Sequence, residues 1–198
     1  MGMILLILMR HGNTFEAGEV PIQVGARTDL PLTAFGRKQA EAMAHYLLAE
    51  GVAPQKIYAG GLKRQKDSAA IIGEKLGCKS VFEPALTEID YGAWEGLTGE
   101  EIGKKWPKEH LEWIEGKWPE RIFVGSEADY RGRVEKWLES LRGGSEECVV
   151  AVTSNGVLRL FQNEKVKTGH FCELHLFETS LKIVKWNKLP VDERSFRN

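Results

Sequence analysis

Met3-Ile-Leu-Leu-Ile-Leu-Met9 runs straight into Arg10-His-Gly-Asn-Thr14. Seven consecutive apolar residues present no polar face to water. The run therefore reads as a strand buried on both sides, as in a parallel sheet covered by helices. It is far below the ~20 residues that cross a bilayer. No Lys or Arg precedes it and Arg10-His11 follows at once, so it reads as neither a signal peptide nor a membrane anchor. Leu6 stands where a myristoylation signal needs Ser or Thr.

A second run of the same kind, Cys148–Thr153, leads into Ser154-Asn155-Gly156 and a helix starting Val157-Leu158-Arg159. Between the two, a polar loop reaches Pro31. Thr33 then caps a helix with Ala40, Met43, Ala44, Leu47 and Leu48 on one stripe, ended by Gly51. Lys56–Tyr58 reads as a short strand. The helix after Gly60-Gly61 carries Leu62, Ala69, Ile72 and Leu76 and stops at Gly77, and Ser80–Phe82 reads as another strand. Thr98-Gly-Glu-Glu101 fits a capping box. Beyond it, Trp106, Trp113 and Trp118 lie among charges in a stretch broken by Pro107 and Pro119, a surface excursion or lid over about 97–125. Its tryptophans suit packing of the excursion itself; as a lid they would suit a ligand with a flat or apolar group. Ser126 caps a helix with Tyr130, Val134, Trp137, Leu138 and Leu141 on one face, and Phe171–Phe177 with Leu181–Trp186 form a closing hairpin.

Alternating strands and helices predict one α/β domain over 1–198, a three-layer α/β/α sandwich with a mostly parallel sheet and a C-terminal edge hairpin. The 198 residues suffice for a core without metal or disulfide support. A net charge of −1 offers no field to draw nucleic acid or an anionic membrane, so any anion site must be local. Cys78, Cys148 and Cys172 cannot all pair and make no C-x-x-C, which favours a reduced, cytoplasmic setting over a disulfide framework or zinc cage.

Ligands of such sheets bind beyond the carboxyl ends of the strands. If the two apolar strands are neighbours, Arg10-His11-Gly12-Asn13-Thr14 meets Ser154-Asn155-Gly156. A neutral imidazole is a competent nucleophile toward phosphorus, and Arg neutralises phosphoryl charge through paired donors. Arg64, early in the second helix, adds a cation near free backbone N–H groups. Glu88 lies among aromatics in Leu86–Gly96, where a carboxyl can keep its proton and act as a general acid; Asp90 and Glu95 compete for that role.

Leu8–Thr14, Arg27–Thr33 with Gly36 and Gln39-Ala40, Tyr58–Ile72, Leu86-Thr-Glu88 with Gly92 and Glu95-Gly96, and Val149–Arg159 together resemble the histidine phosphatase superfamily, phosphoglycerate mutase-like branch. The resemblance implies that His11 becomes a phosphohistidine while Arg10 and Arg64 hold the phosphate. It implies that Glu88 protonates the leaving oxygen and then activates water. Asn13, Ser154 and Asn155 complete the expected phosphate site. Ser154 occupies the slot of the family's second histidine, and Ala17 that of an asparagine six residues after the nucleophile. Slow catalysis is expected, which Ser154→His should speed.

The expected reaction is hydrolysis of a small phosphorylated substrate with inorganic phosphate as product, no metal and no organic cofactor. A phosphate-binding protein without catalysis and a mutase are the alternatives, and the oligomeric state is open. A serine esterase with Ser154 as nucleophile would need Gly at position 152, which is Val. His170 and His175 lie five apart on an expected strand, which points them to opposite faces and away from a shared metal. His45 and His110 read as surface or packing residues.

Overall fold

A computed structural model describes residues 2–191. The first apolar run is β1 (Ile4–Arg10), the second is β4 (Cys148–Thr153), and they pair in parallel with Arg10 beside Thr153. The other strands are β2 (Lys56–Ala59), β3 (Ser80–Phe82), β5 (Phe171–Leu176) and β6 (Leu181–Lys188). All six form one sheet in the order β3-β2-β4-β1-β5-β6. The β3–β2, β2–β4 and β4–β1 pairings are parallel, whereas β5 and β6 run antiparallel and end the sheet with a hairpin.

Helices cover both faces. Met43, Ala44 and Leu47 of α1 (Ala34–Ala49), with Ala69 and Ile72 of α2 (Lys63–Leu76), pack on Ile7, Met9, Val150 and Val152. Opposite them, Val134, Trp137, Leu138 and Leu141 of α5 (Glu127–Arg142) and Val157 and Leu158 of α6 (Asn155–Arg159) pack on Leu6, Leu8, Val149 and Ala151. Successive strand residues thus feed opposite cores, which is why neither run shows a polar alternation. Thr33 Oγ1 caps α1 by accepting from Gly36 N at 3.0 Å, and Ser126 caps α5. Leu48, placed on the buried stripe by periodicity, is 53% exposed; the stripe closes at Leu47.

The middle segment holds α3 (Gly99–Lys105) and α4 (Pro107–Ile114). Pro107 begins α4 rather than breaking the chain, since the first helical residue needs no N–H partner. Phe123 anchors a third, smaller core. Tyr91, Trp94, Trp113 and Trp118 meet its ring edge-on at centroid distances of 5.0, 5.1, 5.0 and 5.2 Å. The excursion is therefore pinned to the Glu88 segment by aromatic packing. Among the described residues no helix is long and apolar enough to cross a membrane.

Candidate active site

Parallel pairing of β1 and β4 delivers both polar clusters to one end of the sheet, where His11 N donates to Thr153 O at 3.0 Å. A cavity of about 600 Å³ opens there, with Arg10, His11, Asn13, Arg64, Glu88 and Asn155 in its wall. Gly12 lets β1 leave the sheet tightly over the start of α1: a Cβ there would lie 2.2 Å from Gly36 O.

The His11 ring is buried, and Nδ1 lies 2.8 Å from Gly12 O. A carbonyl only accepts, so Nδ1 carries the proton and Nε2 keeps its lone pair. That lone pair accepts from Arg64 Nε at 3.2 Å. Arg64 is 1% exposed, and its Nη1 and Nη2 donate to Thr28 O (2.8 Å) and Gly25 O (3.2 Å). Nη2 also reaches Val24 O at 3.5 Å, whereas Nη1 keeps a second N–H. Arg10 Nη1 donates to Val166 O at 2.6 Å, and its Nη2 is uncommitted among the described residues. Glu88 Oε1 accepts from Ile89 N (2.9 Å) and Oε2 from Gly156 N (3.3 Å). A Cβ at position 156 would sit 2.4 Å from Glu88 Oε1 and 2.6 Å from the Tyr91 hydroxyl, so only glycine fits beside both groups.

Burial first, and then the Arg64 and Arg10 charges, hold the His11 pKa well below the ordinary imidazole value. Burial raises Glu88 against the opposing pull of Arg64, two backbone N–H groups and Arg10. Burial also lowers both arginines, with Glu88 countering. The site thus combines a neutral imidazole, a carboxyl biased toward its protonated form, and two guanidinium groups. Burial and the Glu88 charge push Tyr91 well above the usual phenol value, so it stays a neutral donor.

Asp90 and Glu95 are spent elsewhere. Asp90 pairs with Arg27 Nε at 3.0 Å, and Glu95 accepts from Thr28 Oγ1 at 2.7 Å, holding the segment that grips Arg64. Asn13 Oδ1 accepts from Thr168 Oγ1, and Asn155 Oδ1 accepts from Val166 N at 2.9 Å, so both wall residues are held by their carboxamide oxygens. Ser154 is fully buried, is not part of the cavity wall, and accepts from Gln65 Nε2 at 2.9 Å. An imidazole at 154 would have to displace the Gln65 carboxamide, so the geometry does not support a gain from Ser154→His alone. The esterase arrangement does not form: His170 Nδ1 sits 3.0 Å from Asn187 O, and His175 faces Glu173 at 3.4 Å. No three His, Cys, Asp or Glu among the described residues are grouped to hold a metal.

Sequence reasoning missed Gln65, Ser68, Tyr91, Arg159 and Lys165. Gln65 and Ser68 are fully buried, and Ser68 accepts from Gly12 N at 3.2 Å. Their signal was helical spacing: both share the inward face of α2 with Arg64 and Ala69. Tyr91, Trp113, Arg159 and Lys165 line the cavity. Arg159 stacks on the Trp113 ring at 3.7 Å.

The family model of the histidine phosphatase superfamily (branch 1) matches residues 6–192. Phosphoserine phosphatase 1 of Hydrogenobacter thermophilus is 34% identical over 158 residues, which cover 78% of this chain and 72% of that protein. A bifunctional protein of Mycobacterium tuberculosis is 31% identical over 91% of the chain, which spans half the length of that relative. A mycobacterial glucosyl-3-phosphoglycerate phosphatase solved with inorganic phosphate superposes with a TM-score of 0.81 at 25% identity, covering 96% of this chain and 100% of that one.

Proposed function

This chain belongs to the histidine phosphatase superfamily, branch 1, and on that premise we propose that it hydrolyses small phosphomonoesters through a phosphohistidine on His11, without a metal or organic cofactor. One observation carries the reading: the His11 Nε2 lone pair lies 3.2 Å from Arg64 Nε in the wall of a cavity that also holds Arg10 and Glu88.

In the first half-reaction Nε2 forms a bond to phosphorus as the ester P–O bond breaks. The Glu88 proton goes to the departing oxygen. Arg64 Nε–H, released from Nε2, turns to a phosphoryl oxygen, joined by the spare N–H groups of Arg10 and Arg64. In the second half-reaction the Glu88 carboxylate takes a proton from water as its oxygen bonds to phosphorus. The N–P bond breaks, the imidazole returns and inorganic phosphate leaves. Preorganised cations aimed at developing charge account for a large share of such rates. Arg159 and Lys165, without carboxylate partners among the described residues, leave that side of the cavity open to a further negative charge on the substrate.

Incubation with a ³²P-labelled ester and an alkaline quench tests the intermediate. The expected result is an acid-labile label on His11, absent from His11→Ala. Phosphate release with no label anywhere defeats the reading. The burial of Ser154 behind the wall favours one second reading, a phosphate-binding protein without turnover. Oxyanion binding with neither label nor release would select it.

The pH profile follows from the two shifted groups. The first half-reaction needs His11 neutral and Glu88 protonated. With His11 held low, no acidic limb appears near the ordinary imidazole pKa. With Glu88 raised, kcat/KM on an alkyl phosphate declines as pH rises through that elevated carboxyl value. Glu88→Gln should lower kcat/KM on alkyl phosphates by about 10²–10⁴-fold and remove the basic limb. p-Nitrophenyl phosphate, whose leaving group needs no proton, isolates any limb due to ionisation of the phosphate itself. A loss of activity as pH falls through about 6.5 that remains after the limb of the substrate phosphate is accounted for would mean a charged His11 and contradict the assignment.

A further inference from the structure

Gln65 is fully buried one residue after Arg64, and both ends of its carboxamide are engaged. Oε1 accepts from Leu62 N at 3.2 Å, while Nε2 donates to Leu86 O at 2.8 Å and to Ser154 Oγ at 2.9 Å. The space for this amide depends on Gly60, since a Cβ there would lie 2.2 Å from Gln65 Oε1. Leu86 O receives a second donor, Thr153 Oγ1, at 2.7 Å. The next residue is held as well: Gly61 N donates to Thr87 Oγ1 at 2.9 Å, and an Arg133 guanidinium N–H donates to Thr87 O. Glu88 follows directly. Its own two hydrogen bonds orient the carboxyl; the backbone that carries it is held downstream at Ile89 O, which accepts from Ala26 N at 3.0 Å, and upstream at Thr87 and at the doubly bonded Leu86 carbonyl.

A general acid works only within hydrogen-bond reach of the departing oxygen, and a displacement of about 1 Å can cost ~10²-fold. We infer that Gln65 is a positioning residue for Glu88: by clamping the Leu86 carbonyl against β4, it sets the reach of the carboxyl to the leaving group. Ser154 completes the clamp as the acceptor of the same NH₂ group. The inference rests on Glu88 being the acid of the proposed reaction.

A purely structural role would lower all activities together. A positioning role lowers only those that need the proton. The test is therefore the ratio of kcat/KM for glycerol phosphate to that for p-nitrophenyl phosphate, which covers binding through P–O cleavage and does not depend on how much of a variant folds. Gln65→Met keeps the volume and deletes both polar ends. It should lower the ratio about 10-fold or more, with p-nitrophenyl phosphate affected less than about 3-fold. Thr153→Val, which removes the other donor to Leu86 O, should move the ratio the same way. An unchanged ratio in both variants overturns the inference, whatever happens to the absolute rates. If Glu88→Gln also leaves the ratio unchanged, the acid role itself fails; a ratio that responds to Glu88→Gln but not to Gln65→Met removes only the positioning role.

Discussion

His11→Ala is expected to lower kcat/KM for phosphate release by about 10⁴-fold or more, the scale on which enzymes lose rate when the covalent nucleophile is deleted. The fold should be unaffected. The ring contributes hydrogen bonds only to Gly12 O and Arg64, and Arg64 stays anchored on Gly25 O and Thr28 O. The proposed phosphate site should therefore survive, with the second Nη1 proton of Arg64 and Arg10 in place. Competition by inorganic phosphate or vanadate would remain measurable on the variant, by thermal shift or calorimetry. Activity above about 1% of wild type, with melting unchanged, would mean that another group attacks phosphorus and would end the phosphohistidine assignment.

Gly12→Ala should be the most damaging change outside the reacting groups. A Cβ at 12 meets Gly36 O at 2.2 Å and Gly36 C at 2.7 Å, both backbone atoms of the first turn of α1. The contact is reciprocal, for a Cβ at 36 would meet Asn13 O at 2.3 Å. Neither partner is a flexible side-chain tip, so the β1–α1 loop and α1 must separate. That separation strains Gly12 N on Ser68 Oγ and Thr33 N on Asn13 O. A cost of about 3 kcal/mol is expected, which for a domain of this size lowers Tm by about 6–12 °C. Phosphate affinity should drop too, because His11 is the adjacent residue. A melting temperature within about 2 °C of wild type would show that the loop yields without cost.

Much of this arrangement was readable in the chain. Both apolar runs, the caps at Thr33 and Ser126, the edge hairpin and the layering follow from local periodicity, because each of those elements buries the side its pattern announces. His11, Arg10, Arg64 and Glu88 were singled out, and one cavity gathers them. What could not be read depends on approach in space. Pro107 has the same letter whether it breaks or begins a helix. Leu48 continues a stripe that the sheet no longer covers. Ser154 reads as a slot in the wall until Gln65, distant in sequence, is seen pressing on it. The choice of Glu88 over Asp90 and Glu95 needed Arg27 and Thr28, which claim the other two carboxylates.

β1 lies between β4 and β5, so Ile4–Arg10 pairs only with strands that lie far along the chain, at Cys148–Thr153 and Phe171–Leu176. Until those residues are made Ile4–Met9 has no strand partner, and such an unpaired apolar strand is a target for chaperones and for aggregation. The high sequence separation of its pairings also predicts slow refolding in vitro. No stalled product ending before residue 148 can assemble the cavity, which forms only when residues 148–176 close around β1.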